Sequence, residues 1–247
     1  MSYYTLLTRP DSQPKAIKGQ KKGIMTFVLH LSPSDLSGHE VCPCKTASCV
    51  FFCINVCGRG GMIGPIGDHV QGARLRKTKW FFADRDSFMQ ALVSDIRKAI
   101  RHAARKGFDI AIRLNGTSDI PWHRIPVNNA ESVMHLFPEI QFYDYTKVAK
   151  RILKETLPSN YDLTFSLTES NDNVAAAILA RGGKVAAIFR DKATVQRAID
   201  RGFMGAPVVN GDETDIRFLD PRGSVIALFA KGKAKKHTGG MVRDIAA

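Results

Sequence analysis

From Phe108 onward the chain alternates short apolar runs with amphipathic stretches, and that rhythm constrains its fold more than anything else in it. The runs Phe108–Leu114, Ile140–Tyr143, Leu163–Leu167, Val185–Phe189 and Ala206–Val209 read as strands. The intervals 127–136, 146–156, 172–180 and 192–201 read as helices, the last three closed by Pro158, Gly182-Gly183 and Gly202. Strands that alternate with helices imply a parallel sheet with helical crossovers. An earlier apolar run, Ile24–Leu31, supplies a first buried strand. The fold class expected is therefore α/β, a partial (βα)6 TIM-like barrel with a cysteine-rich loop after its first strand. A flat doubly wound sheet is the alternative, although no G-x-G-x-x-G follows any strand. Ile216–Leu219 and Val225–Phe229 read as a closing hairpin around Asp220-Pro221-Arg222-Gly223. The expected organisation is a basic arm at 1–23, a single domain at 24–230 and a basic tail at 231–247.

The loop after the first strand holds every cysteine of the 247 residues: Cys42, Cys44, Cys49, Cys53 and Cys57. Cysteines used as small core hydrophobes would be scattered. An odd count in a long chain without an apolar leader argues against disulfides. Two readings stay open, a metal centre and reduced, partly buried thiols. Cys49, Cys53 and Cys57 are spaced to share one helical face, with Cys42 and Cys44 just upstream across Pro43. Paired Cys-x2-Cys zinc motifs are missing, and three thiolates from one loop suit a [4Fe-4S] cluster with one open iron, zinc being the alternative. His30 and His39 bracket the approach and read more readily as packing or surface histidines than as ligands.

The formal net charge is +13, which favours an anionic partner, nucleic acid or nucleotide. The positive charge is clustered. Arg74, Arg76, Lys77 and Lys79 are the candidate phosphate contacts. Asp84 or Asp86 caps a following helix that ends at Gly107 and carries Arg97, Lys98, Arg101, Arg105 and Lys106. As a bare motif such a face is solvated surface. No apolar run approaches the roughly 20 residues of a membrane span. No membrane association and a cytoplasmic location are expected.

In a parallel α/β barrel chemistry gathers at the C-terminal strand ends. Here those ends carry Asn115 and Ser118, then Asp144 and Tyr145, then Ser166, Thr168 and Glu169, and an acidic knot at 212–215. Helix capping accounts for some of them. Asn115 and Ser118, which precede a loop with Pro121 and Pro126, are less easily explained that way.

Several short motifs in order, Cys42-x6-Cys49-x3-Cys53, Gly58-Arg59-Gly60, VQGARLRKTKWFF, IRLNGTSDI, FYDYTK and SLTES, resemble the phage-encoded gene product 88 family over roughly residues 24–220. Ile54 stands where that family often has an aromatic residue. The resemblance implies a phage or prophage origin. The layout is also similar to radical S-adenosylmethionine enzymes, whose cluster loop follows the first strand of a partial barrel. That resemblance implies a cluster on Cys42, Cys49 and Cys53, with Cys57 or Cys44 as a further ligand. It also implies S-adenosylmethionine held by Asn115, Ser118, Ser166, Thr168 and Glu169. A non-enzymatic nucleic-acid-binding protein with a zinc-braced or metal-free cysteine loop is the second functional expectation.

Overall fold

A computed structural model describes residues 5–10, 14–56, 58–61, 65–237 and 240–246. In chain order these form β1 (Leu7–Thr8), α1 (Pro14–Gln20), β2 (Ile24–Leu29), α2 (Ala47–Phe51), α3 (Pro65–Ala83), α4 (Arg85–Arg105), β3 (Asp109–Arg113), α5 (Val133–Leu136) and β4 (Gln141–Thr146). The chain continues with α6 (Ala149–Leu153), β5 (Tyr161–Ser166), α7 (Asp172–Ala180), β6 (Lys184–Phe189), α8 (Lys192–Arg201), β7 (Val208–Asn210), β8 (Val225–Phe229) and β9 (Val242–Arg243). Among the described residues the strands make a nine-stranded, mostly parallel sheet that does not close. No described helix is long and apolar enough to cross a membrane.

The chain divides into two compact units. The first comprises residues 1–43, 59–144 and 157–162. In it β2 pairs in parallel with β3, and β3 with β4, while β1 adds antiparallel to β2. Met25 and Phe27–Leu29 are buried, as befits a parallel strand covered on both faces. Helix α4 begins where the Asp84 carboxylate accepts a hydrogen bond from the Ser87 amide at 3.0 Å, and it buries Phe88, Leu92, Ile96, Ala99 and Ala103. Phe81, Phe88 and Trp122 pack as one aromatic cluster, with Phe81 5.3 Å from Phe88 and 5.2 Å from Trp122 between ring centres.

The second unit comprises 44–58, 145–156 and 163–247. Here β5, β6, β8 and β7 lie side by side in that order, with parallel pairing, and β9 pairs with the end of β6. Helix α8 is capped by Asp191, whose carboxylate accepts from the Thr194 amide at 2.8 Å, and it stops at Gly202, whose φ of 78° favours glycine.

Three expectations are corrected. The hairpin does not form: Arg217–Leu219 is a single 3-10 turn, and β8 inserts in parallel between β6 and β7, so strand order departs from chain order. Val225, Ile226 and Ala227 are fully buried, and a strand so apolar gains most when both of its edges are paired. The helix expected at 127–136 shrinks to α5. Before it, Asn128 and Asn129 both adopt positive φ (51° and 63°) in a tight turn bridged by Val127 and Ala130. Asparagine is among the few residues that tolerate that conformation twice in succession. The helix expected at 146–156 is reduced to α6.

Candidate functional site

In the first unit the strand ends carry a dense polar cluster. The Asn115 amide donates to Asp144 Oδ1 at 2.7 Å, and the Tyr161 hydroxyl donates to Asp144 Oδ2 at 3.1 Å. Arg113 Nε lies 4.0 Å from Asp144 Oδ1. Asp144 is fully enclosed. Burial pushes its carboxyl up to about 7, against the opposing pull of Arg113 and the two donors. His30 is lowered to about 3, by burial first and then by the positive charges of Arg74, Arg113 and Lys77. Gly116 sits where a Cβ would come within 2.6 Å of the Leu29 carbonyl and 2.8 Å of His30, so only glycine lets this loop cross β2 so closely.

Asn115 is placed deep inside this cluster, and its side chain makes four hydrogen bonds. Its Oδ1 accepts from Ser118 Oγ (2.9 Å), the Ile120 amide (2.9 Å) and Trp122 Nε1 (3.0 Å). Its Nδ2 donates to the Ile120 carbonyl at 2.9 Å. Asn115 and Ser118 therefore stitch the loop after β3 to itself. Asp144 and His30 are marked in the sequence, as a strand-end carboxylate and as a histidine before the cysteine loop, whereas Tyr161 carries no such mark. Tyr161 precedes the strand that the apolar pattern marks.

In the second unit the Thr46 hydroxyl donates to Glu169 Oε2 at 3.0 Å, and the Ser48 amide approaches Glu169 Oε1 at 3.4 Å. Burial opposes ionisation of Glu169, and hydrogen bonds from its own amide, Ser48 and Thr46 outweigh it, so its pKa is lowered. Thr46 in turn caps α2, accepting from the Cys49 amide at 3.2 Å. The Ser166 carbonyl accepts from Asn171 Nδ2 at 3.1 Å. The Thr168 amide donates to Asn171 Oδ1 at 2.8 Å, and its carbonyl accepts from Arg243. Ser166, Thr168 and Glu169 thus lie together around the turn into α7, with Glu169 reaching α2.

The described cysteines have separate surroundings. Cys42, in the first unit, is half-buried, with Sγ 3.4 Å from the Ser34 amide and 4.0 Å from the Thr117 carbonyl. In the second unit Cys44 is exposed, Cys53 is half-buried, and Cys49 packs against the apolar group of Phe52, Ala230, Ala234, Met241 and Val242. Cys57 lies outside the described residues. Among the described residues no three of histidine, cysteine, aspartate and glutamate come together as a metal site.

The four basic candidates divide along α3. Arg76 and Lys79 are exposed, and Arg74 is half-buried. Lys77 turns inward and donates Nζ to the Leu6 carbonyl at 2.8 Å. Its pKa falls to about 8, chiefly through burial and also through Arg74, against the raising effect of Asp95. Arg97, Lys98, Arg101 and Arg105 on α4, followed by Lys106, are all exposed. From Gln90 to Lys106 the one acidic residue, Asp95, is buried, with Oδ2 accepting from the Leu6 amide at 2.6 Å.

The chain belongs to the gene product 88 family, whose model matches residues 5–244. That match extends the family resemblance over nearly the whole sequence; it does not bear on S-adenosylmethionine chemistry. No curated protein and no solved structure matches the chain.

Proposed function

We propose that this member of the gene product 88 family binds nucleic acid through the sugar–phosphate backbone, using exposed cations of α3 and α4. The observation that carries the reading is the one-signed surface of α4: between Gln90 and Lys106 every exposed charged side chain is a cation. A net charge of +13 supports it. Backbone contacts of this kind fix position and affinity without reading sequence. Arg76 and Lys79 would add contacts from α3, while Lys77 serves the fold. The cysteine segment is taken as a metal-free turn held by the Thr46–Glu169 bond and by the packing of Cys49. The buried strand-end clusters are taken as braces.

The test is the salt dependence of binding to a short DNA duplex. For each phosphate contact removed, the slope of log K against log salt should fall by about 0.9. Arg97→Ala, Arg76→Ala and Lys79→Ala should each flatten it by about that amount. Slopes unchanged in all three would mean that this face is solvated surface.

A further inference from the structure

Beside the helix face just described, the first unit contains a cavity of about 320 Å³ between β1 and α4. Its basic lining comes from Arg9 near β1 and from Lys98, Arg101 and Arg105 of α4. The one carboxylate in the lining, Asp95, is already engaged by the Leu6 amide at 2.6 Å and by Lys98 Nζ at 3.1 Å. Lys98 is thereby offset, and Arg101 and Arg105 face the cavity with no acid against them in its lining. Leu7, Phe27 and Ala99 make an apolar floor, all three buried.

We infer that this cavity seats a phosphomonoester carrying a flat apolar body, of the size of a nucleoside monophosphate. Arg101 and Arg105 are one helical turn apart, so their guanidinium groups can converge on one phosphate. Each can donate charge-assisted hydrogen bonds, the stronger kind. The carbonyl end of α4 weakly disfavours an anion, so the guanidinium groups must carry the binding. Favourable placement of arginine at a helix C-terminus would by itself explain the residue types. It does not explain why they rim a cavity with an apolar floor, in the size range of small-molecule sites. This goes beyond backbone contacts, because the seat requires a terminal phosphate. The phosphate could arrive on a free mononucleotide or at the 5′ end of a strand.

Binding of adenosine 5′-monophosphate and of adenosine to the full chain, by calorimetry, forms one arm. A matched pair of 5′-phosphorylated and 5′-hydroxyl oligonucleotides forms the other. The expected result is at least a tenfold preference for the phosphorylated member in one or both arms. Arg101→Ala and Arg105→Ala should each reduce that preference about tenfold. Arg222→Ala, an exposed cation of the second unit, should leave it unchanged. A preference confined to the first arm assigns the seat to free nucleotide, and one confined to the second assigns it to strand ends. Equal binding within both pairs, or a preference that survives both arginine substitutions, overturns the inference. If the duplex salt slopes fail while the monophosphate preference holds, the backbone interface falls and the seat stands.

Discussion

Replacing Asn115 by alanine separates a brace from a ligand contact. The substitution removes four hydrogen bonds, to Ser118, to Trp122 and to both the amide and carbonyl of Ile120. Those partners are buried: Ser118 is 9% exposed, Ile120 6% and Trp122 0%. Water cannot easily replace what is lost. At about 1 kcal/mol of net stability per bond, the cost is about 4 kcal/mol, a large part of the 5–15 kcal/mol typical of a folded domain. For a chain of this size each kcal/mol moves Tm by roughly 2–4 °C, so melting should fall by on the order of 10 °C. Near-ultraviolet circular dichroism is a suitable assay, because the Trp122 indole loses its own acceptor. Ser118→Ala removes only one of the four bonds and should cost about a quarter as much. An Asn115→Ala protein as stable as Ser118→Ala would refute the brace. It would return Asn115 to the candidate cofactor contacts.

Other expectations follow from the same geometry. Asp144, raised to about 7, favours the protonated form in the folded state; its contribution is complete below about pH 4 and is lost as pH rises to 7. His30, lowered to about 3, acts in the opposite sense; its contribution is complete above 6.5 and is lost as pH falls toward 3. Between about pH 4 and 6.5 the two slopes oppose each other, so the slope of the denaturation midpoint against pH should become more positive there in Asp144→Asn and more negative in His30→Gln, and unaltered profiles would contradict both shifts. Glu169→Gln weakens the acceptors for Thr46 and Ser48, so hydrogen exchange should speed up in residues 46–51 and not in α8. Cys49→Ser places a hydroxyl against aliphatic carbon and should cost about 1 kcal/mol with no change in metal content of anaerobically prepared protein; loss of stoichiometric iron or zinc in that variant would restore the cluster reading.

The parts of the fold legible in the sequence were those whose cause is local. Helices α7 and α8 fall at the expected bounds because periodicity and end signals, such as the Asp191 cap, lie within a few residues of each other. The expected hairpin does not form, because Pro221 and Gly223 do mark a turn while β8 is placed by its demand for two partners, which no local signal encodes. The cations at 74–79 read as one patch along the chain. A helix turns 100° per residue, so Arg76 and Lys79 come to face solvent while Lys77 turns toward Leu6. The cavity left no mark, since its walls come from residues 5–9, 27 and 95–105, three stretches that no pattern joins.

The strand-end residues pose the same problem in a sharper form. A polar side chain at the end of a parallel strand serves either a ligand or its own fold, and residue type does not distinguish the two. What distinguishes them is whether its hydrogen-bonding capacity is filled at home. The partners that fill it are remote in sequence: Asp144 meets the Asn115 amide 29 residues away, Thr46 meets Glu169 across 123, and Ser48 meets His237 across 189. Asn115, Ser118 and Glu169 each spend hydrogen-bonding capacity on such partners. The groups with capacity to spare are of another kind, guanidinium and ammonium groups on the outer face of α4, where the neighbouring acid is buried and already bonded. Phosphate would supply acceptors for the Arg101 and Arg105 guanidinium groups, which face no acid in the cavity lining beyond the already bonded Asp95.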